Sequence, residues 1–314
     1  MKVVIAGGTG MMGRTLTASL VTDRHQVVIL TRRVPPAAHD GVSYERWSGS
    51  CGEADRLAAV LAGADAVVNL TGIPVGPLPW TPGRRRGIRA SRVEPTKAII
   101  EGLERVEAAQ RPGVLVSISG SDAYTGQDAV PATEATPSAG GFLADVLQEW
   151  ETAALAAEAL GVRVVILRTG FVIGRGTELM RLFALPFRLG LGGRLGDGRQ
   201  WMSWIHRDDV IGLMQTAIAD PRYRGVVNGV SPTPVREADL AKAIGRTLHR
   251  PSWLPVPAWA IRLTMRESSI LALGSRRVLP ARATELGYRY LHPDLDEALA
   301  EALGPLDRGK GTTR

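Results

Sequence analysis

KVVIAGGTGMMGRT, residues 2–15, decides the fold. The apolar run KVVIAG reads as a short buried strand. Glycines follow at 7, 8, 10 and 13, and a helix is predicted from near Met11 to about Val21. Strand, glycine turn and helix together form the context that a dinucleotide fingerprint requires. Gly7 allows the tight turn, Gly10 lets backbone approach a pyrophosphate, and Gly13 permits close helix-to-strand packing. The helix start then offers free N–H groups and a positive dipole end to the phosphates. The predicted cradle is Gly7, Gly8, Thr9, Gly10, Met11, Met12 and Gly13.

The same alternation continues outward. Strands are predicted at 25–32, 64–72, 113–121 and 162–170. Helices are predicted at 55–61, 84–109 and 142–159, with a Pro/Gly-rich loop at 74–83. Apolar strands alternating with helices predict an α/β fold, a Rossmann-type doubly wound parallel sheet covered on both faces. Beyond Phe171 the pattern changes. Residues 171–197 read as irregular, 225–232 as strand and loop, 237–248 as a helix, 251–257 as a stiff apolar loop and 294–303 as a last helix. The expected division is a nucleotide-binding domain over 1–170 with a return segment at about 203–228. A smaller C-terminal substrate lobe takes 171–202 and 229–304, and 305–314 is a disordered tail.

The end of the second strand selects the cofactor. An NAD site wants an acidic residue there for the ribose hydroxyls. This chain has Thr31, Arg32 and Arg33. Guanidinium groups suit a 2′-phosphate, so NADP(H) is expected.

Composition bounds the rest. The 314 residues carry a net charge of +7. Only Lys2, Lys97, Lys242 and Lys310 are lysines, and Arg84–Arg86 is the one basic cluster. No nucleic-acid module is visible, so an anionic small-molecule partner suits the charge better. No apolar run approaches the ~18 residues of a membrane span. The N-terminus does not read as a signal peptide. A lone Cys51 makes no internal disulfide and holds no metal by itself. A cytoplasmic protein with neither membrane nor nucleic-acid partner is expected.

Several motifs together carry a family resemblance. GGTGMMG, NLTG (69–72) and SISGSDAYTG (117–126) resemble the extended short-chain dehydrogenase/reductases, which include sugar-nucleotide epimerases. SRVEPT (91–96), FLADVLQEWE (142–151), LRTGFVIG (167–174), GDGRQWMSWIHRDDV (196–210) and NGVSPTPV (228–235) narrow the match. So do RPSWLPVPAWAIR (250–262) and RRVLPARATELGYRY (276–290). They are similar to the atypical "epimerase family" branch, which has its own C-terminal domain. The resemblance implies that Asn69, Leu70, Thr71 and Gly72 lie under the nicotinamide half of the cofactor. It implies that Arg92 replaces a helix asparagine of the wider superfamily, and that Gly170 and Phe171 approach the nicotinamide ring. It also implies a homodimer through the helices at 84–109 and 142–159.

The superfamily works with a Tyr and a Lys four residues later. No tyrosine here has a lysine at that spacing: Tyr44, Tyr124, Tyr223, Tyr288 and Tyr290 are followed by Ser48, Asp128, Val227, His292 and Asp294. Alignment on FLADVLQEWE places Leu143 and Leu147 at the two positions. Leucine exchanges no proton, so the ordinary mechanism is closed, while hydride transfer belongs to the cofactor and stays open. The candidate replacements are Ser119 or Ser121 on a carbonyl oxygen, Tyr124 as proton donor, Glu134 as acceptor and Arg92 at a developing oxyanion. His206, Asp208 and Asp209 read as a structural return to the sheet rather than a metal set. Trp150-Glu151 reads as packing plus a charge pair. Three readings follow: an NADP(H)-dependent oxidoreductase or epimerase on a small sugar-like or carbonyl/hydroxyl substrate; a non-redox isomerase, cyclase or lyase; and a non-catalytic NADPH-binding regulator.

Overall fold

Alternate residues of the first strand serve two cores. In β1 (Lys2–Ala6), Val3 and Ile5 face one side of the sheet while Val4 and Ala6 face the other. A strand buried on both faces reads as an unbroken apolar run, which marks a parallel sheet between helical layers. The computed structural model describes residues 1–35, 40–76 and 79–304. The tail expected at 305–314 lies outside the described residues.

The chain alternates strand and helix through α1 (Met11–Thr22), β2 (Gln26–Thr31), β3 (Val42–Arg46), α2 (Ala54–Leu61), β4 (Ala66–Asn69), α3 (Pro82–Arg105) and β5 (Val114–Gly120). A short strand β6 (Gln127–Ala132) precedes α4 (Phe142–Leu155) and β7 (Arg163–Thr169). There follow β8 (Phe171–Ile173), α5 (Glu178–Arg188), β9 (Trp201–Met202), β10 (Trp204–His206), α6 (Arg207–Ala219) and β11 (Gly225–Gly229). The end of the chain contributes β12 (Val235–Arg236), α7 (Glu237–Leu248), α8 (Ala258–Met265), α9 (Ile270–Leu273), β13 (Arg276–Val278), α10 (Ala281–Glu285) and α11 (Leu295–Leu303).

Seven strands form the central sheet in the order β11-β7-β5-β4-β1-β2-β3, every pair parallel. Helices α1 and α6 cover one face, with Leu16, Leu20, Leu213 and Met214 in its core. Helices α2 and α3 cover the other, with Leu57, Leu61, Ile99 and Leu103. The strand order reverses between β1 and β4. In a doubly wound sheet this switch point opens the crevice that takes a ligand.

A separate core lies beyond the sheet. Ile173, Met180, Phe187, Trp204, Leu240 and Leu299 pack there, from β8, α5, β10, α7 and α11. Buried Asp209 on α6 ties the segment after α10 to the sheet. Its carboxylate accepts N–H bonds from Leu291 (2.7 Å) and His292 (3.0 Å). Among the described residues no helix is long and apolar enough to cross a membrane.

The structure contains several elements that the sequence reading lacked, α8 (Ala258–Met265) and the short strands β6 and β13 among them; three bear most on the architecture. β3 was not expected; it is a half-exposed edge strand whose Glu45 and Arg46 dilute the apolar signal. Residues 178–188, expected to be irregular, form α5 despite an internal Pro186. The return segment carries a 13-residue helix, α6.

Glu237 opens α7 and is buried, its Oε2 accepting the Leu195 N–H at 2.9 Å. Burial pushes its pKa up from 4.5 to about 7. The folded state therefore holds this proton more tightly than the unfolded chain. Its contribution is full below pH 4.5 and is lost as pH rises through about 7. Glu237→Gln keeps an acceptor without the charge. It should raise stability by ~2–3 kcal/mol at pH 8 and by roughly 0 at pH 4. Urea unfolding at both pH values measures this, and equal effects at the two would exclude burial of the carboxylate as the cause.

Candidate functional site

Three close approaches build the glycine loop. A Cβ on Gly13 would lie 2.5 Å from Gly8 Cα, one on Gly8 2.8 Å from the Ile29 side chain, and one on Gly7 2.7 Å from the Leu70 carbonyl. Gly7 also has φ +80°, where other residues are strained. The loop thus docks α1 directly onto β1, β2 and the end of β4. Gly10 N-caps α1 with no side-chain cap, and the first turn holds no acidic residue. Its N–H groups and dipole end are left for an anion. The exposed Arg14 folds back and donates to the Thr9 carbonyl at the rim.

At the end of β2, Thr31 is buried and exchanges bonds with the Arg33 backbone through its hydroxyl. Arg32 and Arg33 are exposed, and among the described residues neither forms an ion pair. The cradle that a Cβ would fill, the uncapped helix and the two free guanidiniums fit a 2′-phosphorylated dinucleotide.

Asn69 is fully buried where β4 ends. Its amide donates to Thr96 Oγ1 (2.7 Å), and its Oδ1 accepts from the Thr71 N–H and hydroxyl. It therefore shapes the Leu70-Thr71-Gly72 turn. Arg92 on α3 holds the next stretch, donating to the Ile73 carbonyl and to the Ile88 carbonyl, each at 3.0 Å. Burial lowers its pKa to about 10, which leaves it charged at neutral pH. Its Nε is buried without a partner. Gly170 must be glycine, since a Cβ would lie 2.5 Å from the Ser203 carbonyl. The Phe171 ring packs edge-on to Phe183 at 5.0 Å, towards the second core.

The ends of β5, β7 and β11 carry a buried polar network. Arg168 and Glu151 pair through two bonds, 2.8 and 2.6 Å. Burial opposes the charge on Arg168, yet the carboxylate outweighs it and the net shift holds the guanidinium protonated. Ser119 donates to the same Glu151 oxygen at 2.6 Å. Tyr124 is fully buried under Arg168, 4.8 Å from guanidinium to ring, and its hydroxyl donates to Asn228 Oδ1 at 3.1 Å. Burial raises the Tyr124 pKa, only partly offset by Arg168. Glu134 accepts the backbone N–H groups of Asn228 (2.9 Å) and Arg282 (3.2 Å). Ser121 is buried at the start of the 3-10 turn Ser121–Tyr124.

The structure thus joins Ser119, Tyr124 and Glu134 through Arg168, Glu151 and Asn228. Arg92 shares no hydrogen bond with that network; its guanidinium lies 5.4 Å from the Trp150 ring and holds the Ile73 and Ile88 carbonyls. Leu143 and Leu147, at the positions of the absent pair, are buried against Trp80, Ile88, Val93 and Trp150. The part played by Arg168 and Asn228 was not read from sequence. An arginine inside the apolar run VRVVILR was the available signal, because a buried cation requires a partner.

His206, Asp208 and His292 also converge, with ligand atoms within 4.8 Å. Each is engaged in holding the fold. His206 Nδ1 accepts the Asp208 N–H and caps α6, its Nε2 lies 3.1 Å from Glu301, and its ring packs at 3.8 Å on His292.

Comparison with known proteins supplies a family context. A model described as the NAD-dependent epimerase/dehydratase family matches residues 3–228, and a "domain of unknown function", DUF1731, matches 256–302. The chain is 36% identical over 299 residues to the chloroplastic "epimerase family protein SDR39U1 homolog" of Arabidopsis thaliana, covering 95% of this chain and 86% of that one. It is 34% identical to the human "epimerase family protein SDR39U1" over 309 residues, 96% and 99% of the two chains. A crystal structure of the human protein (isoform 2) with NADPH superposes with a TM-score of 0.84 at 31% identity, covering 96% and 98%. UDP-N-acetylglucosamine 4-epimerase from Bacillus cereus shares the fold, with a TM-score of 0.74 at 17% identity over 96% and 97%.

Removing one partner of the Glu151–Arg168 pair strands the other as a buried charge. Glu151→Gln should therefore lower stability by ~3 kcal/mol, measured by chemical unfolding. A loss under ~1 kcal/mol, the range of exposed pairs, would show that water reaches the pair.

Proposed function

This chain belongs to the NAD-dependent epimerase/dehydratase family, and we propose that it is an NADP(H)-dependent oxidoreductase or epimerase that works without a tyrosine–lysine pair. Its substrate is a small organic molecule, sugar-like or bearing a carbonyl or hydroxyl group. One observation carries this reading. The uncapped α1 terminus and the unpaired Arg32 and Arg33 lie at the two strand ends that a 2′-phosphorylated dinucleotide would bridge. The human relative solved with NADPH supports it.

The residues divide the work. Gly7 to Gly13 hold the pyrophosphate on backbone N–H groups, and Arg32 and Arg33 hold the 2′-phosphate. Thr31 fixes the bend that presents them. Asn69, Leu70, Thr71 and Gly72 form the floor of the nicotinamide half, with Gly170 and Phe171 on its far side. Bound NADP(H) supplies hydride chemistry. The protein supplies orientation and charge stabilisation. Arg92, charged and held by backbone carbonyls, is placed for a developing oxyanion, with Ser121 as a further donor. Ser119 is bound to Glu151 and positions the network. Tyr124 is enclosed and hydrogen-bonded, which demotes it from the proton donor expected from sequence to a packing and positioning role. Glu134 is spent on two backbone N–H groups. The lone exposed Cys51 suits a reducing, cytoplasmic setting.

A second reading is favoured by Leu143, Leu147 and the enclosed Tyr124. With no obvious proton donor, the protein would be a non-redox isomerase, cyclase or lyase, or a regulator that binds NADPH without turnover.

Calorimetric titration with NADPH and NADH tests the cofactor assignment. NADPH should bind at least ~10-fold more tightly. Arg32→Ser/Arg33→Ser should weaken NADPH by ~10- to 100-fold while leaving NADH unchanged. Equal affinities in the parent protein would overturn it. Loss of reduced-nicotinamide absorbance with a panel of aldehydes and ketones supports the redox reading. Product without absorbance change supports the second.

A further inference from the structure

Among the described residues, a run of exposed apolar side chains lies in the segments before and along α8. Residues 253–257, Trp-Leu-Pro-Val-Pro, are exposed without interruption. Trp253 is 66% exposed, and on α8 Trp259 (68%) and Leu263 (72%) project one turn apart. Leu185 on α5, whose Met180, Ala184 and Phe187 are buried, is exposed too, as are Leu189 and Leu191 just beyond the helix. Scattered exposed leucines need no explanation, but an unbroken run of this kind does.

The tip of this surface is held in place by backbone bonds. The N–H groups of Trp253 and Leu254 both donate to the Gly192 carbonyl, at 3.0 and 3.1 Å. Val256 donates to the Arg194 carbonyl, and Gly196 donates back to Val256. A Cβ on Gly193 would collide with the Leu254 backbone. The two segments are therefore clamped side by side, and prolines at 255 and 257 stiffen the tip.

The same segments carry exposed arginines. Arg181, Arg188, Arg194, Arg250, Arg262 and Arg266 are all exposed, and among the described residues none forms an ion pair. The whole chain carries +7. Exposed tryptophans and leucines flanked in the chain by exposed arginines match the interface of an anionic bilayer. The rings sit at headgroup depth, and the long arginine stems reach the phosphates. A second copy is a poor occupant, because a two-fold contact sets these arginines against their own copies.

We propose that this face docks the protein peripherally on an anionic lipid surface. The contact needs no spanning helix, and it revises the expectation of no membrane partner. It is independent of the cofactor assignment.

Vesicle flotation with the full chain tests it. Vesicles of phosphatidylcholine with about one-third phosphatidylglycerol should carry the protein at least ~10-fold more than phosphatidylcholine alone, and high salt should release it. Trp253→Ser/Trp259→Ser/Leu263→Ser should abolish flotation. These side chains are exposed, so melting temperature and NADPH affinity should not change. Arg262→Ser/Arg266→Ser should weaken binding to anionic vesicles only. Failure of the parent protein to float with anionic vesicles would overturn the proposal, as would flotation unaffected by the triple variant. Sedimentation velocity provides a further arm. A parent dimer that the triple variant turns into monomer, without vesicle binding, would assign the face to a second copy and overturn the proposal too.

Discussion

The seating of α1 against β1, β2 and β4 is the constraint on which the rest depends. Gly13 lies against Gly8, Gly8 against Ile29, and Gly7 against the carbonyl of Leu70. None of these approaches tolerates a side chain. Together they lock the first turn, the first helix and the switch point of the sheet into one piece. The same contacts aim the α1 terminus at the crevice. Helix termini usually recruit Ser, Thr or Asp to satisfy their first N–H groups. Here Gly10 occupies that place and supplies no side-chain acceptor. The fold is thus closed by the residues that leave the helix open to a phosphate.

The opposite wall of the crevice solves a different problem. In the wider superfamily, the helix corresponding to α4 presents a tyrosine and a lysine. Here it presents Leu143, Leu147 and, one turn further, Glu151. Both leucines join an apolar cluster with Trp80 and Trp150. Glu151 meets Arg168 from the adjacent strand, and a buried carboxylate is tolerable because the guanidinium fork satisfies both its oxygens. Ser119 takes a further bond on the same carboxylate. Ser119, one of the two hydroxyls that the sequence offered for a substrate carbonyl, is thus committed to the scaffold. What remains charged and close to the floor of the crevice is Arg92. Chemistry at this site would rest on charge stabilisation more than on proton exchange by a tyrosine.

Local features of the fold were legible, and distant ones were not. The glycine spacing and apolar strands identified the first half because strand period and turn chemistry are written in consecutive residues. Residues 237–248 were expected as a helix and form one over the same span. β3 escaped because an edge strand buries only part of its surface and so carries no apolar run. α5 escaped because Pro186 and the following glycines read as loop, while its apolar stripe packs on a core assembled from distant segments. In the site, the cradle and the arginines after β2 were legible for the same local reason. The partners of Tyr124 and Glu134 were not. Asn228 lies 104 residues from Tyr124, and nothing short of the fold joins them. Glu151 was read as half of a charge pair, but its partner, 17 residues on, was not named.

The same contrast bears on the exposed face of the second lobe. Apolar residues left at a surface by chance are usually free to shift. Those at 253–256 are not, because Gly192 accepts two backbone bonds from them and Gly193 makes room for their main chain. A Cβ on Gly192 would strike the Phe187 ring, so the clamp is anchored in the core of the lobe. Two closely packed glycines, Gly192 and Gly193, are therefore used to hold tryptophan and leucine outward. Glycine loses more freedom on folding than any other residue. Its use here to fix an apolar tip flanked in the chain by arginines is intelligible if that tip has something to meet, and the arginines indicate that what it meets is negatively charged.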